Sequence, residues 1–117
     1  ANENCKPMAG ALQAMLPLIE KATQAVGNQM ASAGARIALS NANAYLQLLG
    51  QVVAAWMWLR QANAAALLTN PDDAAFAKGK LQAARYFFRW ELPRVKWDAQ
   101  QLINGDDTFA DMDPSWF

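Results

Sequence analysis

Few residues in this chain are equipped for chemistry, and their spacing narrows the choice further. Cys5 is the only thiol and stands beside Lys6, a cation that favours the thiolate. The chain has no histidine, so neither a Ser–His nor a Cys–His pair can form, and Cys5 reads as incidental. Asp106, Asp107, Asp111 and Asp113 gather in a short stretch. Their spacing approaches that of a calcium loop, but the central Gly and the closing bidentate Glu are missing, so the stretch reads as a solvated acidic tail. Lys78, Lys80, Arg85, Arg89, Arg94 and Lys96 fall in one segment, interleaved with Tyr86, Phe87 and Trp90. They would suit a phosphate-bearing ligand or, more simply, form the wet face of an amphipathic helix. No GxGxxG or GxxxxGK loop is present to cradle a phosphate. The residues therefore supply no catalytic set, no cofactor-binding set and no metal-binding set.

The elements that would position these groups are helical. Alanine makes up 25 of the 117 residues, while Val, Ile and Thr together number ten, a balance that favours helix over strand. Ten basic residues balance ten acidic ones, which lacks the electrostatic footprint of a nucleic-acid binder. The longest unbroken apolar run, Val52 to Leu59, is far shorter than the ~20 residues of a membrane span. A lone cysteine and no signal-peptide pattern point to a reducing, cytoplasmic setting. The chain opens without Met, as a processed chain or an excised piece would.

Breakers divide the sequence into three helical segments, expected at about 7–32, 35–68 and 71–104, the second starting at either Ala35 or Asn41. In the first, Met8, Leu12, Met15, Ile19, Ala22 and Val26 recur at helical steps behind Pro7, which suits a first helical position. Pro17 should kink this helix or mark its true start, and Gly27 and Gly34 are both candidate ends. The second segment is apolar on two sides. Ala42, Tyr45, Leu49, Val52, Trp56 and Leu59 form one stripe, while Leu48, Ala55, Trp58 and Ala62 lie on another. Three helices cannot easily bury both, so Leu48, Ala55, Trp58 and Ala62 are expected to meet a partner. Asn70-Pro71-Asp72-Asp73 is the clearest helix start. Ala77, Leu81, Ala84, Phe88, Leu92, Val95, Ala99 and Leu102 then form the inner stripe of the third segment. Pro93 should bend it near Arg89 and set Trp90 and Trp97 on adjacent core layers. Gly105 should end it. The expected fold is all-α: one domain over 1–117, an antiparallel up-down bundle of three long helices, four if the first breaks. An extended acidic tail follows over 105–117.

Particular residues also carry a resemblance. Tyr45-Leu46-Gln47-Leu48-Leu49-Gly50, then Trp56 and Arg60-Gln61-Ala62, then Lys80, Ala84-Arg85-Tyr86-Phe87, Leu92-Pro93 and Asp111-Met112-Asp113 resemble the signature of one module. That module is the extra C-terminal domain of the longer bacterial-type acyl-CoA dehydrogenases. The resemblance implies a piece of a flavoprotein oxidoreductase of fatty acid metabolism, which uses FAD to convert an acyl-CoA into a trans-2-enoyl-CoA. In that family the catalytic glutamate and the flavin-binding segments precede the module, so Glu3, Glu20 and Glu91 inherit no role. The fragment is thus expected to hold no cofactor, with FAD in its parent, and to act in packing and oligomerisation. Its partners would be the rest of the dehydrogenase or further copies of itself. The competing expectation is a free-standing helical interaction module.

Overall fold

A computed structural model of the protein describes residues 3–32 and 35–117. The expected break at Gly34 lies outside the described residues. Helix α1 spans Lys6–Ser32, about 40 Å of continuous helix. Pro17 sits inside it without ending it. The carbonyl that loses its partner to this proline belongs to exposed Gln13, where water can replace the missing N–H. A short helix, α2 (Ala35–Ser40), is separated at Asn41 from α3 (Ala42–Ala66). Of the two expected starts of the second segment, the long helix begins just past Asn41, and Ala35 opens a short helix of its own. Asn41 gives α3 no side-chain cap; its amide instead donates to the carbonyl of Asp106 at 2.8 Å, tying the start of α3 to the tail.

The expected start at Asn70 holds. Its side-chain oxygen accepts the backbone N–H of Asp72 at 2.9 Å and opens a 3-10 turn, Pro71–Asp73. Helix α4 (Ala74–Tyr86) follows, then a π turn over Phe87–Glu91, then α5 (Arg94–Asn104). Pro93 explains this sequence of elements. Having no N–H, it cannot bond the Arg89 carbonyl. The chain widens before it, with the Leu92 N–H reaching the Phe87 carbonyl at 3.0 Å, and tightens after it, with Val95 N–H on Leu92 O and Lys96 N–H on Pro93 O. The wide and tight turns offset each other, so the inner stripe keeps its register. Ala84, Phe88, Leu92, Val95, Ala99 and Leu102 are all buried. Trp90 and Trp97 are not core layers: they are 65% and 70% exposed. The offset turns hold Phe88, Leu92 and Val95 inward instead.

The three rods run up, down and up. Helix α3 packs on α4 and α5, and α1 packs on α5 and α3. The core between them is Met8, Met15 and Ala22 of α1, Leu48, Ala55 and Ala62 of α3, and the inner stripe of α4–α5. Many of these are alanines, which let helix axes approach closely but contribute little apolar area each. Gln51 and Asn63 on α3 each keep a buried side-chain oxygen without a hydrogen-bond partner. The body measures 63 × 31 × 16 Å with a radius of gyration of 18.4 Å, well above the ~13 Å of a compact 100-residue domain. It is an elongated, flattened bundle.

Gly105 closes α5 in a left-handed conformation, φ 62°. The Gly105 and Asp106 N–H groups bond the carbonyls of Leu102 and Gln101, the Schellman arrangement. A Cβ here would lie 3.0 Å from Gln29 Nε2, the atom that donates to Leu102 O from α1. Gly105→Ala is therefore expected to cost about 1–2 kcal/mol from the backbone alone, plus weakening of the Gln29 bond. Urea unfolding checks this; a cost below ~0.5 kcal/mol, the size of an ordinary surface substitution, would contradict it.

Candidate functional site

The residues singled out for chemistry do not converge. Cys5 is fully buried in the core, and burial pushes its thiol up, away from the reactive thiolate. Three of the four tail carboxylates are engaged, each with a different partner. Asp106 accepts from the N–H and hydroxyl of Thr108, and Asp111 pairs with Arg36 at 2.8 Å. Asp113 accepts the Ser115 N–H at 2.8 Å, a bond that holds its carboxyl below the usual range. Among the described residues no three His, Cys, Asp or Glu side chains gather in a metal-binding arrangement. Nor is any helix among them long and apolar enough to cross a membrane.

Three of the four residues expected to meet a partner belong to the chain's own core. Leu48 and Ala55 are 0% exposed and Ala62 1%. Trp58 is half-buried, its ring 5.7 Å from Lys80 Nζ, and the same ammonium lies 5.4 Å from Phe76 and donates to Gln61 at 3.2 Å. Lys80 thus clamps α4 to α3. The two-sided apolarity of α3 is real, and both sides meet the core. Tyr45, Leu49, Val52 and Leu59 of the first stripe are half-buried against it, and of its large side chains only Trp56, with its flank Leu46 and Val53, is left exposed. In so flat a body the Leu48–Ala55–Ala62 side faces α1, α4 and α5, and the side carrying Leu46, Val53, Trp56 and Met57 meets water.

That open side is the most distinctive surface of the molecule. Leu46 is 66% exposed, Val53 56% and Trp56 49%. It continues onto α1 through an apolar groove of about 410 Å³ between Leu12 and Leu16 on one wall and Val52, Val53, Trp56 and Leu59 on the other. Between Ile37 and Pro71 the single charged residue is Arg60, and its guanidinium lies over the Trp56 ring at 5.2 Å. The signal that reveals this face is in the sequence: a long exposed helix with almost no charge has no reason to prefer water. The groove does not suit a flavin. Its one polar side chain is Gln13, which cannot replace the cluster of donors a pyrophosphate requires.

Asp98 is the other perturbed group; partial burial raises its carboxyl above the usual range. A raised native pKa means that the folded state binds the proton more tightly. Stability then falls as pH rises from the unfolded value through the folded one, and the deficit persists at neutral pH. Asp98→Asn is therefore expected to stabilise the chain at pH 7 and to match it once both states are protonated. Thermal melts at the two pH values test this, and an equal gain at both would contradict it.

The fold and its surface define an all-α domain with a wide apolar face, poor in charge, and no assembled catalytic group among the described residues. The model of the family described as acetyl-CoA dehydrogenase C-terminal like matches residues 1–113, and the chain belongs to that family. This agrees with the resemblance carried by the Tyr45–Gly50 and Ala84–Phe87 motifs. Comparison with curated proteins and with solved structures returns no match.

Proposed function

We propose that the chain is the accessory helical domain of an FAD-dependent acyl-CoA dehydrogenase, acting by packing and assembly while the chemistry takes place elsewhere in the enzyme. The observation that supports this most is the open face of α3. Exposed apolar surface this extensive and this poor in charge marks a contact site, and family membership supplies the partner, the body of the dehydrogenase. FAD and acyl-CoA would be held by that body.

Deleting this domain from the enzyme that carries it should lower its melting temperature and weaken subunit association, while stoichiometric flavin is retained. Loss of flavin with assembly intact would overturn the proposal. The chain alone should take up no flavin, and should self-associate through the face its partner normally covers. Trp56→Asp should shift that equilibrium toward monomer, since burying one large aromatic contributes on the order of 2–3 kcal/mol. A chain that stays monomeric in light scattering at high concentration would instead remove the reason for invoking a covered face.

A further inference from the structure

A second surface differs in character from the open face. Charge is segregated along the chain. Residues 74–104 hold six basic and two acidic residues, whereas residues 105–117 hold four aspartates and no base. The remaining residues balance, with four of each sign. The positive excess is focused where the N-terminal end of α1 meets α4 and the π turn. There a cleft of about 390 Å³ has Arg85 and Arg89 on its rim and Met8, Leu81 and Phe88 in its lining. Lys78 and Leu81 line a smaller depression of about 190 Å³ further along α4. Among the described residues none of these three cations has an ion pair. The carboxylate of Glu3, which also borders the cleft, is taken by Lys6 at 2.7 Å.

The tail has the complementary chemistry. Besides its aspartates it exposes four large apolar side chains: Phe109, Met112, Trp116 and Phe117, the last two 70% and 95% exposed. It is anchored at the opposite end of the body. Arg36 holds the Ala110 carbonyl at 2.7 Å and the Asp111 carboxylate at 2.8 Å, and Asn41 holds Asp106. From Met8 to Ser32, α1 separates that end from the cleft by about 36 Å. The six residues after Asp111 span at most about 20 Å. The tail therefore cannot reach its own cleft while Arg36 holds it. A second copy laid antiparallel brings each tail to the other's cleft, in a reciprocal two-fold contact.

We propose that the acidic, aromatic tail of one chain docks in the basic cleft between α1 and α4 of a second copy. Asp107 and Asp113 face Arg85, Arg89 and Lys78, and Trp116 or Phe117 covers the apolar lining. This contact is separate from the open face of α3, so the test is made in the Trp56→Asp background. Sedimentation velocity should show a dimer at low ionic strength whose dissociation constant rises at least tenfold in high salt. A cleft-reversed chain (Arg85→Glu, Arg89→Glu) and a tail-reversed chain (Asp107→Lys, Asp113→Lys) should each be monomeric, with unchanged circular dichroism because all four sites are exposed. Mixing the two should restore a heterodimer, since each then offers the charge the other needs. A dimer that ignores salt and reversal, a wild-type tail and cleft that give only monomer, or a mixture that fails to pair would each overturn the proposal.

Discussion

Leu48→Ala is expected to lower the unfolding free energy by about 2–5 kcal/mol, the range for removing a buried leucine from a core that cannot fully collapse around the gap. Leu48 is 0% exposed and belongs to the central cluster with Ala55, Phe88 and Leu92. Had it faced a partner, as the two-sided pattern of the sequence suggests, the same change would weaken association and spare the monomer. Denaturant unfolding at low protein concentration separates the two. A loss below ~1 kcal/mol with unchanged slope would return Leu48 to the surface. For a domain this small, a loss in the expected range is a large share of the whole stability, typically about 5–15 kcal/mol.

The second large effect has the opposite chemistry and the same logic. Ala55→Leu adds apolar volume at a position that is 0% exposed, in the helix that packs on both α1 and the α4–α5 rod. Overfilling such a contact costs about 1–3 kcal/mol, because neighbouring side chains leave their rotamers or the helices separate. At an exposed contact site the larger side chain would be harmless to the fold and would favour association. A fall in melting temperature without any rise in association supports the core position; a stable, more strongly associating variant would contradict it.

Much of the fold was legible because helix signals are local. The inner stripe from Ala77 to Leu102, the cap at Asn70 and the stop at Gly105 can each be read from a few neighbouring residues. Pro93 announced an interruption, but its form was not legible. A bend, a break and a π turn offset by a tight turn all satisfy a missing N–H, and long-range packing of Phe88 and Leu92 selects among them. The direction of α3 was hidden for a different reason. A stripe of alanines and a stripe of Leu, Val and Trp both read as apolar, and hydrophobicity alone favours burying the larger one. Close helix approach favours the alanines, and in this chain it prevails: Ala55 and Ala62 are inside while Val53 and Trp56 are out. The basic cleft was legible only in part. Arg85 and Arg89 stand out in the sequence, but nothing local brings Met8 and Glu3 of the first segment beside them.

The 16 Å thickness of the body ties its persistence to mass action. An elongated bundle whose core is rich in alanine draws limited stability from within, and any partner that binds the folded form adds RT ln(1 + [L]/Kd), about 2.7 kcal/mol at a hundredfold excess over Kd. If the open face of α3 is covered as proposed, the amount of this domain that survives quality control in a cell would follow the concentration of the partner that covers it. A substitution confined to Trp56 or Val53, silent in the unfolding curve of the dilute, monomeric chain, would still deplete the protein by leaving it uncovered for longer, and so more often open to proteases.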